Sequence, residues 1–177
     1  MPNARRDCLM AIPMGFIGLI LSKFSEATSP FFLPVYMIQQ YLQIKSPFVR
    51  NVVIFELTFS KPNISLTKKN QRVFLTANIR VTVPNNPSVN GKLSLSSSFF
   101  YNTISHQIFL KDPLFNQIEV EGLNQAGQRL LTQLNPFLSE LLNGYPIYEL
   151  SKTDLPFFAK VPSSIMLEDD GILFRFD

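Results

Sequence analysis

The sequence predicts an α+β domain behind an N-terminal export segment, and three observations predict it. Apolar residues alternate with polar ones at period two over much of the stretch from Val52 to Val120. The apolar period then reverts to three and four between Leu123 and Leu142. A short uncharged run stands behind two arginines at the start of the chain.

The first thirty residues come first in order. Arg5 and Arg6 precede the 13-residue run Leu9–Leu21, LMAIPMGFIGLIL, and Lys23 ends it. A signal peptide has a basic region, ~7–15 apolar residues and then small residues before the cut. A membrane-spanning helix needs about 20 apolar residues. Ser25 and Ala27 stand at −3 and −1 of a cut before Thr28. Residues 1–27 are therefore expected to direct export, either cleaved or kept as a short anchor. Residues 28–177 are expected to form one domain, with no internal repeat or linker.

Within that domain PVYMIQQYLQIK, Pro34 to Lys45, spaces Val35, Ile38, Tyr41 and Leu42 as a short amphipathic helix. Gln39, Gln40 and Gln43 are expected to face outward. Pro34 suits its first turn and Pro47 its end. Val53, Phe55, Leu57 and Phe59 then predict a strand, which Ile64 and Leu66 resume after a break at Lys61-Pro62-Asn63. Val73, Leu75, Ala77, Ile79, Val81 and Val83 form the apolar face of a long strand with one dry and one wet side. Leu93, Leu95, Phe99 and Tyr101 line the next, and Asn102–His106 is its turn. Ile108 and Leu110 line the return strand, bent or bulged at Pro113. Asn124 to Gly144 is predicted as one long helix kinked at Pro136. A strand near Ile147–Leu150 follows, then a hairpin of Ser164–Leu167 and Ile172–Phe176 around Glu168-Asp169-Asp170-Gly171.

Composition excludes several function classes. Hydrophobic residues are 46% and charged residues 16% of the 177, so the chain can bury a core and is not a disordered segment. Without residues 1–27 the charged set is 13 basic and 11 acidic side chains, too even for a nucleic-acid binder. One cysteine, Cys8, and one histidine, His106, cannot make a structural zinc site. No glycine-rich phosphate loop is present, and no cofactor is expected. His106 reads as a turn residue rather than a general base. Glu119 and Glu121 read as a solvated strand face, and Glu168, Asp169 and Asp170 as a plain turn rather than a calcium loop. Lys68, Lys69 and Arg72 are the one local basic cluster, either contacting anionic headgroups or keeping a hairpin soluble. An enzyme is not expected.

The order and spacing of PVYMIQQYLQIK, YNTISHQIFLKD, LLTQLNPFLSELLNGYPIYEL and AKVPSSIMLEDDGILFRF resemble the YceB-like family of bacterial envelope lipoproteins, a domain of unknown function. The resemblance covers about Phe31 to Phe176. It implies half of a tubular lipid-binding module, in which a strongly curved antiparallel sheet wraps a long helix and apolar ligands lie between them. Many relatives carry a lipidation cysteine just after the apolar run. Here Cys8 precedes that run, so anchoring by that route is not expected.

The expected fold is therefore α+β, a strongly curved antiparallel sheet around one long amphipathic helix with a short N-terminal helix. The expected function is binding of an apolar ligand, such as a lipid acyl chain, in the periplasm or at the inner membrane, with membrane-surface contact. Leu130, Leu134, Phe137 and Leu141 would line the slot from the helix. Phe55, Leu57, Leu75, Ile79, Leu95 and Phe99 would line it from the sheet. The same residues also allow a filled core, with outward aromatics such as Phe74 and Phe109 docking a partner protein. Ligand identity and oligomeric state are not readable from the sequence.

Overall fold

The computed structural model describes residues 30–52, 55–82, 88–120, 137–151 and 161–176. The described elements are β1 (Phe31–Pro34), α1 (Val35–Lys45), β2 (Phe48–Val52), β3 (Phe55–Thr67), β4 (Arg72–Thr82), β5 (Val89–Asn102), β6 (Gln107–Val120), β7 (Pro146–Glu149), β8 (Ser164–Glu168) and β9 (Gly171–Arg175). Residues 137–142 are helical. Strands β2 to β7 form one antiparallel sheet in chain order, and β1-β9-β8 form a second.

The protein is thus mostly β, which corrects the expected α+β class with a long central helix. Among the described residues both helices are short, and no long amphipathic helix is present. Pro136 supplies a physical reason. It lacks an N–H, disfavours the helical conformation at the residue before it, and costs a helix interior about 3 kcal/mol. Apolar spacing that runs across such a residue does not need to form one rod. Residues 124–136 of the predicted helix lie outside the described residues, as does the export segment 1–27.

The large sheet curls into a half-barrel. Its ladder contains four register shifts, one in β3, two in β6 and one where β7 pairs with β6, and they promote curling, since a bulge adds a residue to one strand and increases local twist. Ser60 pairs with Asn78 and Asn63 with Thr76, so β3 carries one more residue than β4 there. In the sequence this looked like a break at Lys61-Pro62-Asn63. It is a bulge, with Lys61 at φ 49°. The extra residue reverses the parity of the strand, so Leu57 and Phe59 before it and Ile64 and Leu66 after it are all buried. On β6 the same device occurs twice. Pairs step from Ser94↔Gln117 to Leu95↔Phe115, and from Ser96↔Leu114 to Ser98↔Lys111.

Buried polar groups repair the ladder at these points, as they must where water is excluded. Ser97 is fully buried, and its hydroxyl lies 2.7 Å from the Ser98 carbonyl and 2.8 Å from that of Lys111. The Lys111 N–H donates back to it at 3.1 Å. At the β3 bulge Gln39 corrects its predicted outward orientation. Its amide donates to the Pro62 carbonyl at 2.7 Å and accepts from the Ile64 N–H at 2.9 Å. That side chain ties α1 to the β3 bulge.

Two strands were absent from the sequence prediction. β1 pairs with β9, and β2 pairs with β3 down to Val52↔Phe55. The predicted strand beginning at Val53 corresponds to β3, which starts at Phe55, and β2 is an additional strand before it. Residues 53–54, between them, carry neither glycine, proline, Asn nor Asp, so turn chemistry gave no signal there. The closing hairpin is as predicted, with Glu168↔Gly171 as its last pair. Gly171 serves close approach. A Cβ there would lie 2.4 Å from the Leu33 carbonyl oxygen on β1.

The second sheet docks on the β3–β4 turn through polar contacts. Gln71 donates to the Lys68 and Leu167 carbonyls and accepts from the Leu167 N–H at 2.8 Å. Asp169 accepts from the Lys68 N–H, and Lys68 pairs with Glu168 at 2.7 Å. Leu33, Leu167, Ile172 and Phe174, all fully buried, join the concave face of the large sheet in one apolar core. Each such side chain contributes roughly 1.5–3 kcal/mol on burial.

Candidate functional site

The concave face of the half-barrel is assembled by register. Residues opposite each other in an antiparallel pair share a face. Leu57↔Val81↔Val89 form one cross-strand row and Phe59↔Ile79↔Gly91 the next. Ala77↔Leu93↔Ile118 and Ile64↔Leu75↔Leu95 follow. No charged side chain interrupts these four rows. The opposite face carries Thr58, Ser60, Asn78, Arg80, Asn90 and Lys92, which border a polar cleft of about 490 Å³.

Four of the predicted slot residues come together on the concave face. Leu57, Leu75, Ile79 and Leu95 are all buried there, and Leu75 and Leu95 are direct cross-strand partners. Phe99 is half-buried further along β5. From the helical residues, Leu141 is half-buried against the core, whereas Phe137 is 53% exposed. The backbone of Phe55 pairs with Val52. Leu130 and Leu134 lie outside the described residues.

The edges of the half-barrel meet through side chains. β2 and β7 are the two outer strands of the sheet, yet Phe48 of β2 stacks on Tyr145, just before β7, with ring centroids 4.5 Å apart. The other face of this contact is closed by Phe59, 4.6 Å from Phe48. The Arg50 guanidinium lies 5.9 Å from the centroids of both Phe48 and Tyr145. Cation–π attraction of this kind contributes about 0.5–1 kcal/mol at an exposed position. α1 seals the seam further along, where Tyr41 meets Tyr148 at 5.5 Å. Burial raises the Tyr145 hydroxyl above the ordinary phenol pKa, with Arg50 pulling the other way. Tyr41 is raised by burial and then by Glu149.

Sequence reasoning missed this seam. FVRNV puts apolar residues on both faces, so it carries no amphipathic signal, and nothing local places Phe48 beside a residue almost a hundred positions away. The other chemical candidates hold structural positions. His106 Nδ1 is 2.8 Å from the Tyr101 hydroxyl within the β5–β6 turn. Arg72 donates to the Ser96 carbonyl at 2.9 Å, and Lys68 is paired, so two of the three clustered cations bind the protein itself. Asp169 and Glu168 hold the β3–β4 turn. Glu119 is an exposed β6 residue that accepts from Gln117, and Glu121 lies outside the described residues. Among the described residues no group of His, Cys, Asp and Glu is arranged to hold a metal ion, and no helix is long and apolar enough to cross a membrane.

These features define a curled antiparallel half-barrel with an apolar concavity and an aromatic seam. The chain belongs to the family of proteins of unknown function DUF1439, whose model matches residues 36–170. That match runs from α1 into the β8–β9 turn and so includes the whole large sheet. No curated protein matches the chain.

Proposed function

We propose that this is a non-enzymatic protein of the bacterial envelope that binds an apolar ligand, such as a lipid acyl chain, against the concave face of its half-barrel. One observation carries the reading. Four successive cross-strand rows of apolar side chains line a sheet whose outer edges are joined by aromatic rings instead of backbone hydrogen bonds. A seam of rings can part without breaking a ladder. Phe48 stacks on both Phe59 and Tyr145, so parting Phe48 from Tyr145 would open the edge of the concave rows. A bound chain would gain about 25 cal/mol for each Å² of apolar surface it removes from water. The arginines and apolar run before Thr28 support export to the envelope. The resemblance to YceB-like envelope proteins supports the same location.

Native mass spectrometry of the full chain purified from membrane-containing bacterial cells, followed by lipid extraction, tests the reading. A co-purifying acyl lipid is expected, and its amount should fall in Ala77→Leu, which adds volume to the concave face. A ligand-free mass after incubation with mixed lipids refutes it.

A second reading, docking of a partner protein, is favoured by one specific feature. Phe100 and Phe109 stack at 5.0 Å on the outer face, Phe100 is 40% exposed, and Leu114 is 58% exposed. Apolar groups exposed together on a sheet face mark interaction surfaces. Retention of partner binding by Ala77→Leu, and its loss in Phe100→Ser, separates this reading from the first.

A further inference from the structure

We propose that the ligand is an anionic amphiphile whose head group is held by Arg50 at the rim of the concave face. This rests on the apolar-ligand reading above and adds the chemical class of the ligand.

The register of β2 places Arg50 opposite Leu57, between the pairs Phe48↔Phe59 and Val52↔Phe55. Opposite residues share a face, and Leu57 and Phe59 are each 1% exposed on the concave side. Arg50 therefore leaves the edge strand on the apolar side of the sheet, at the end of the row Leu57–Val81–Val89. Its neighbours Val49 and Asn51 take the outer side, and so does Glu56, the partner of Asn51. The nearest acid by register is thus on the wrong face for Arg50.

Arg50 is exposed at the edge of this apolar surface, where its charged head reaches water. Among the described residues the one ion pair is Lys68–Glu168. Arg50 makes a single long bond, 3.4 Å, to the adjacent Val49 carbonyl. A guanidinium has five N–H donors, so most of its capacity is unused. Its plane is instead supported by Phe48 and Tyr145 at 5.9 Å each. Aromatic support from one side leaves the N–H fork free to take a carboxylate or phosphate oxygen pair.

The two parts of the site suit the two parts of one molecule. The rows Leu57–Val81–Val89 and Phe59–Ile79–Gly91 suit a hydrocarbon tail, and Gly91 is the small position among them. α1 is tied by Gln39 to Pro62 in the bulge and to Ile64 beyond it, several residues along β3 from Leu57, the partner of Arg50. One of the two rings beside Arg50, Phe48, stacks on Phe59. A head group that draws the guanidinium outward would loosen the cover over the tail site, which couples recognition of charge to opening of the seam.

The test compares ligands with one tail and different heads. Equilibrium dialysis of the full chain with hexadecanoate and hexadecanol is expected to show the ionised acid bound about tenfold more tightly, equivalent to ~1.4 kcal/mol. In Arg50→Gln the ratio should fall to about one, and in Arg50→Lys it should be partly kept, with circular dichroism confirming the fold of each. Anionic lysophosphatidylglycerol against zwitterionic lysophosphatidylcholine makes the same charge comparison on a phosphate head, and whether the Arg50-dependent preference falls in this pair or in the fatty pair distinguishes phosphate from carboxylate. A preference for the anionic member in either pair that depends on Arg50 supports the proposal. Equal binding of charged and neutral members, or a preference that survives in Arg50→Gln, overturns it while leaving the apolar-ligand reading standing. Failure of all four amphiphiles to bind removes both.

Discussion

Changing Gln39 to Glu should make the stability of this protein depend on pH in a direction set by one hydrogen bond. The native amide donates to the Pro62 carbonyl at 2.7 Å and accepts from the Ile64 N–H at 2.9 Å. A carboxylate can keep the second bond but faces the Pro62 carbonyl with no proton to share. Protonated, the same group can make both bonds. The neutral form is therefore favoured in the folded state, and the folded pKa of the new carboxyl rises above its unfolded value of about 4.3. Stability is then fully present below the unfolded pKa and is lost as pH rises through the folded one. A hydrogen bond lost from a partly buried site, with a carbonyl left facing a charge, costs about 1–3 kcal/mol. For a chain of this size that is roughly 2–4 °C in melting temperature per kcal/mol. Urea unfolding of the wild type and Gln39→Glu at pH 7 and at about pH 4 measures it. The variant should be weaker than the wild type at neutral pH and close to it in acid. Equal deficits at the two pH values would refute the claim that Gln39 bridges the bulge through donor and acceptor together.

Other outcomes follow from the same structure. Ser97→Ala should destabilise by about 1–3 kcal/mol, because the Lys111 N–H and carbonyl lose their buried partner, while Ser98→Ala should be near neutral; chemical denaturation compares them. Gly171→Ala should cost about 1–3 kcal/mol or more, since the new methyl meets the backbone oxygen of Leu33, and faster amide exchange in β1 and β9 would report it. Arg50→Ala should raise the Tyr145 pKa further, because burial then acts unopposed, and a carbon-13 NMR titration of the Tyr145 ring reads this directly. In wild type the raised Tyr145 pKa means that its contribution to stability is intact below the ordinary phenol pKa and declines as pH rises through the raised value. Gln71→Ala should loosen β8 more than Lys68→Ala does. Gln71 makes three bonds, two of them partly buried and shared with Leu167, whereas Lys68 is 62% exposed and makes its ion pair in water.

The sequence by itself determined the faces of the sheet. Val73, Leu75, Ala77, Ile79 and Val81 alternate because a strand sends successive side chains to opposite sides, and all five are buried on one side of β4. It also recorded the bulges, as shifts of parity. The inward residues run Ile108, Leu110, then Pro113 and Phe115, then Ile118, each jump of three marking an extra residue in β6. The closing hairpin was legible from its acidic, glycine-ended turn. Tertiary structure alone decided the rest. Helical spacing on both sides of Pro136 could not say whether one helix crosses it, since apolar periodicity reports a face and not continuity. The pairing of β1 with β9, about 140 residues apart, depends on hydrogen bonds and on a glycine that admits a neighbouring carbonyl. Gln39 looks like a solvent residue in its own helix and becomes a bulge partner only when β3 arrives. The meeting of Phe48, Arg50 and Tyr145 follows from curling, and curling sums small twists over six strands and four register shifts. No local window contains that sum, which is why the candidate site lies where periodicity did not look for it.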